Sequence, residues 1–109
     1  MKLTVRQSGS ALRILLTGEL DHHAARGAFA EVSRVLDDYM PRNCILDLSG
    51  VPFMDSSGLA LILRTKRLLD ECGGTLHIEG PRRQPEKVLS AAGLGRVVEI
   101  GSTDQEVIQ

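Results

Sequence analysis

A chain of 109 residues suits one domain, and its 42% apolar and 25% charged side chains exclude a disordered segment. With 13 basic against 14 acidic residues, the net charge is −1, and aromatics are only 3%, which removes the cationic surface and stacking rings expected of a nucleic-acid or anionic-lipid binder. The apolar runs are too short to cross a bilayer, and Met1–Thr4 leads into no signal-peptide core. Cys44 and Cys72 lack metal spacing, so a cytoplasmic protein with reduced thiols is expected.

Leu3 and Val5, then Leu12, Ile14 and Leu16, alternate with polar neighbours around Ser8-Gly9-Ser10, predicting a β-hairpin over residues 2 to 17. Gly18 breaks the alternation and Asp21 suits an N-cap. Ala25, Ala28, Phe29, Val32, Val35, Leu36 and Tyr39 then recur at helical spacing until Pro41. The run from Cys44 to Leu48 reads as a parallel strand buried on both faces. Asp55 and the serines open a second helix that Gly73-Gly74 closes. Leu76 and Ile78 mark a strand, and Pro81 leads into a helix bearing Val88, Leu89 and Ala92. Residues 97 to 100 form the last strand, and Thr103 with Glu106 suggests a short terminal helix. The order β-β-α-β-α-β-α-β predicts one α/β domain over residues 1 to 109. Its mixed sheet has an N-terminal hairpin followed by parallel strands.

At about 100° per residue, a helix over 56 to 72 turns Gly58, Leu61, Ile62, Thr65, Leu68, Leu69 and Cys72 inward. The opposite side holds Ser56, Leu59, Ala60, Leu63, Arg64, Lys66, Arg67 and Asp70. Leu59 and Leu63 are out of place there. They continue a line from Ser56 toward Arg67, whereas Ser57 turns away from it. The strip is either a docking surface beside Ser56 or, at Leu59, a hydrophobic staple with Met54. Ser56 itself is either a helix-start residue or an acceptor of phosphate, for which the free N–H groups of a helix N-terminus provide donors.

The chain has no phosphate-binding glycine loop, so a phosphate would come from a partner kinase. Asp21, His22, His23 and Ser56 are the residue types of a hydrolase, but no G-x-S-x-G elbow accompanies them. His22 and His23 diverge on a helix and read as exposed polar residues, as does His77 in its strand. Asp47 suggests a receiver-like phosphoacceptor, yet "LTGEL" supplies no acidic pair for Mg²⁺.

The segments "LTGELDHHAA" (16 to 25) and "ILDLSGVPFMDSSGLALIL" (45 to 63), with Gly73-Gly74, resemble bacterial anti-sigma factor antagonists of the sporulation type. These are free-standing STAS-domain proteins. The resemblance implies a non-enzymatic partner switch. The unphosphorylated protein binds an anti-sigma factor that is also a serine kinase, and a sigma factor is thereby released. The kinase, which uses its own ATP and Mg²⁺, inactivates the antagonist at the serine after the motif aspartate, and a serine phosphatase resets it. Carried over, Asp55 is that aspartate, Ser56 the phosphoacceptor, and Ser57 and Gly58 complete the motif. Glu19, Asp21, His22 and His23 lie beside the phosphosite in the partner contact, with Leu59, Ala60, Leu63 and Arg67 from the following helix. Ala60 stands where many relatives have glycine. The chain itself needs no cofactor and touches neither nucleic acid nor membrane. The alternative implied role is a STAS regulatory subunit of a transporter or stress-sensing complex.

Overall fold

The computed structural model describes residues 1–101. Strands β1 (Lys2–Ser8) and β2 (Ala11–Thr17) form the expected antiparallel hairpin, in register from Lys2 opposite Thr17 to Ser8 opposite Ala11. Helix α1 (His22–Tyr39), β3 (Asn43–Gly50), α2 (Ser56–Glu71), β4 (Thr75–Glu79), α3 (Arg83–Ala91), a 3-10 turn (Leu94–Arg96) and β5 (Glu99–Gly101) follow. The sheet order is β1-β2-β3-β4-β5, parallel from β2 onward. The terminal helix expected around Thr103 and Glu106 lies outside the described residues.

When successive parallel strands are also neighbours, right-handed crossovers place every connecting helix on the same side. The burial follows. Leu12, Ile14, Leu16, Cys44, Leu46, Leu48 and Ile78 point into one core with Val32, Ile62 and Leu89 from the helices. The alternate strand residues Arg13, Ile45, Asp47 and Glu79 are only half-buried. The β3 strand is therefore covered on one face, not on both as its apolar run suggested.

On the uncovered face, the Arg13 guanidinium donates to Asp47 at 2.9 Å and to Glu79 at 3.0 Å. These bonds, that to Glu79 foremost, raise the Arg13 pKa against the lowering effect of burial. Asp47 sits inside its strand with its charge paired, which removes the receiver-like reading. His77 lies on the same face, half-buried, with Nδ1 2.6 Å from Glu99.

Three further expectations shift at element ends. Tyr39 is 43% exposed because residues 37–40 of the last α1 turn all face solvent before Met40 reverses the chain at φ 47°. Cys72 is exposed because α2 ends at Glu71 and the chain turns away through Gly73, φ 77°. Val97 and Val98 donate their N–H groups to Leu94 O at 3.0 Å each, which commits them to the 3-10 turn and delays β5 to Glu99.

Gly50, at the end of β3, pairs with Thr17 where the β2–β3 register shifts. A β-carbon there would lie 2.8 Å from Leu16 O, a backbone atom that cannot swing aside. Gly50→Ala is expected to lower stability by about 1–3 kcal/mol, read as a fall in thermal midpoint with an unchanged far-UV spectrum. Burial pushes the Cys44 thiol up to about 12, so it stays protonated and hidden at pH 8, whereas Cys72 is exposed. A thiol-specific chromogenic reagent at pH 8 is expected to react rapidly with Cys72 alone, and with both cysteines only in denaturant.

Candidate functional site

Two strand-to-helix turns meet at one end of the sheet. Leu20 and Met54, both fully buried, form a parallel bridge between them. Leu20 N donates to Phe53 O at 2.8 Å, and Gly18 N donates to Gly50 O at 2.9 Å. The bridge sets side by side the two aspartates that begin the helices. Asp21 Oδ1 accepts from Ala24 N at 2.9 Å and caps α1, and Asp55 Oδ1 accepts from Ser57 N at 2.8 Å and caps α2.

Gln84 from α3 completes the junction. Its Oε1 accepts from Met54 N at 2.9 Å and its Nε2 donates to Met54 O at 3.0 Å. Sequence reasoning missed this contact, because nothing local marks a glutamine that pairs with a backbone 30 residues away. Gly58 is buried against the same loop. A β-carbon there would lie 2.9 Å from Met54 Cε and 3.1 Å from Leu20 Cδ2, so the absence of a side chain lets α2 approach the bridge.

The two serines face different environments. Ser56 is exposed at the first position of α2. Ser57 is half-buried, with Oγ 3.2 Å from His22 Nδ1. That Ser–His contact lacks the third member of a triad, since Asp21 spends its carboxylate on the Ala24 amide. His23 is exposed at the α1 start, about 100° around the helix from His22, and the described residues contain no cluster of three metal-ligating side chains. Glu19 is exposed in the adjoining loop.

Two expectations about this site change. Leu59 is half-buried and packs against the core. At about 100° per residue it lies on the flank of the buried face, while Ser56, Ala60, Leu63 and Arg67 lie opposite that face. These four are all exposed, and they form the stripe that α2 presents. The helix-start donors are also partly committed. Asp55 takes Ser57 N through its side chain and Gly58 N, at 3.0 Å, through its carbonyl. A phosphate on Ser56 would therefore find fewer free amides than a bare helix start offers, with the Asp55 carboxylate on the preceding residue. Phe53 before the bridge is 40% exposed, and the Arg64 guanidinium lies 4.2 Å from the centroid of the Phe29 ring. Phe29, expected on the apolar face of α1, is half-buried against the core, whereas sequence reasoning missed Phe53 and Arg26, whose placement depends on how the helices pack.

The STAS domain model matches residues 2–107. An anti-sigma F factor antagonist of Lysinibacillus sphaericus is 38% identical over 82 residues, which is 75% of this chain and 70% of that protein. Among solved structures, the anti-sigma factor antagonist SpoIIAA in its unphosphorylated form superposes with a TM-score of 0.78 at 27% identity, over 97% of this chain and 93% of that one. The phosphorylated form of the Bacillus cell fate determinant SpoIIAA gives 0.71 at 27% identity, over 97% and 96%. The fold, the bridge-linked helix starts and the extent of the match lead to one conclusion: the chain belongs to the STAS domain family.

Proposed function

We propose that the chain is an anti-sigma factor antagonist whose partner binding is switched by phosphorylation of Ser56. The observation that carries this reading is the contrast between the adjacent serines. Ser56 presents its hydroxyl at the start of α2, beside exposed Ala60 and Leu63, while Ser57 is half-buried against His22. The relatives support it: they are named anti-sigma factor antagonists, and SpoIIAA has been solved in unphosphorylated and phosphorylated forms.

In the unmodified state, the α2 stripe and the loop bearing Glu19, Asp21 and His22 dock on an anti-sigma factor that is also a serine kinase, which frees a sigma factor. The kinase brings ATP and Mg²⁺. The γ-phosphoryl group passes to Ser56 Oγ as its bond to the β-phosphate oxygen breaks, ADP departs and the hydroxyl proton goes to a base on the kinase. The product carries about −1.5 to −2 extra charges next to the Asp55 carboxylate. Placing that charge in a protein contact costs about 2–5 kcal/mol, a roughly thirtyfold to several-thousandfold loss of affinity. The fold need not change, since the side chain that caps α2 is Asp55 and not the Ser56 hydroxyl. A serine phosphatase restores the hydroxyl. On this reading the chain acts in the cytoplasm as a binding module, and catalysis belongs to its partners.

With purified cognate kinase and ATP, one phosphate is expected on the wild type and on Ser57→Ala, and none on Ser56→Ala. Intact-mass measurement checks this, and label retained in Ser56→Ala refutes the site. Leu63 is 43% exposed. Leu63→Glu is expected to weaken kinase binding about tenfold or more, with a thermal midpoint close to that of the wild type. A large drop in that midpoint would instead assign Leu63 to the core.

A further inference from the structure

A groove of about 150 Å³ separates α1 from α2 and runs away from the serines. His22 and Ser57 stand in its lining with Arg26 and Arg64, and Phe29 and Ala60 add apolar surface. No carboxylate is among its lining residues in the described part of the chain.

The cations here differ from others on the same helices. Arg34 has Asp38 at 3.9 Å, and Lys66 has Asp70 at 2.7 Å, each one turn onward. One turn from Arg26 lie His22 and Ala30, and one turn from Arg64 lie Ala60 and Leu68, so neither arginine meets a carboxylate along its own helix. Arg64 also holds its guanidinium over the Phe29 ring, 4.2 Å from the centroid, beside the same lining. The net charge of the chain is −1, yet two arginines line a groove that has no carboxylate in its described lining, while Asp21 and Asp55 stay at the helix starts as caps.

We infer that this groove docks an acidic segment of the serine kinase that modifies Ser56, an inference that rests on the function proposed above. The mixed lining selects a polypeptide whose carboxylates alternate with small apolar side chains, because Phe29 and Ala60 offer nothing to a bare anion. Docking there holds the kinase beside Ser56 without occupying the hydroxyl. Once Ser56 is phosphorylated, the new negative charge stands at the groove and opposes the same acidic segment, which adds to the repulsion from Asp55.

The test uses the full chain, purified cognate kinase and ATP. The double variant Arg26→Glu/Arg64→Glu is expected to bind the kinase about tenfold or more weakly and to raise KM for Ser56 phosphorylation in proportion, with kcat within roughly twofold of wild type. Arg26→Glu alone keeps Arg64 on Phe29 and is expected to show a smaller loss in the same direction. Added salt should weaken wild-type binding more than binding of the double variant. Unchanged affinity and KM in both variants, with Ser56 still phosphorylated, overturns the groove and leaves the Ser56 reading intact. A wild-type chain that the kinase neither binds nor modifies overturns that reading itself. A fall in kcat with affinity and KM unchanged refutes docking and assigns the arginines to the transfer step. Tighter binding to vesicles of anionic lipid or to RNA than to the kinase also refutes the inference.

Discussion

The bridge between Leu20 and Met54 is the constraint from which the site follows. Two turns leave the sheet from adjacent parallel strands, and each ends in an aspartate that begins a helix. Because both bridging side chains are fully buried, separating the turns would expose two large apolar groups as well as the backbone bond from Leu20 to Phe53. With the turns locked, the helix starts cannot move independently. Ser56 is left outward on one of them, and Ser57 is left within reach of His22 on the other. The glycines at 50 and 58 belong to the same constraint, since a methyl group at either would push apart the elements that the bridge draws together.

Much of this was legible in the chain because it is local. The hairpin, three helices, both aspartate caps and the difference between the serines rest on spacings of two to four residues, where periodicity and capping chemistry speak directly. What escaped depends on distant pairing. The apolar run around β3 matched a strand covered on both sides, but nothing in it tells that successive crossovers leave one side bare. Leu59 is shifted off the exposed stripe by the orientation of α2 against the sheet, which no single helix discloses. Tyr39, Cys72 and Val97 sit at element ends, where one residue of uncertainty changes a side chain from inward to outward. Gln84, Arg26 and Phe29 gain their roles only once a second helix arrives beside them.

The two polar faces of the molecule are organised in opposite ways. On the bare side of the sheet, charges are matched across strands: Arg13 with Asp47 and Glu79, and His77 with Glu99. Such a surface repels little and attracts little, which suits a face that stays in water. Around the α1–α2 groove no carboxylate among the described residues lines the cations, and the leucine and alanine of the α2 stripe lie nearby. Unmatched charge next to apolar surface is a poor arrangement for an isolated protein and a useful one for an association that must be both selective and reversible.

The amide of Gln84 has a consequence of its own. By accepting from and donating to the same residue, it imitates the edge of a neighbouring strand and gives Met54 the pairing a sheet would have provided. The platform under the serine is thus assembled from the first, middle and final thirds of the sequence. A version shortened before α3 would keep every residue of the aspartate-serine motif, yet leave two main-chain groups beside a buried methionine unanswered, at about 1–3 kcal/mol apiece. The late helix is a buttress: it never approaches the chemistry, but the pedestal on which that chemistry stands would sag without it.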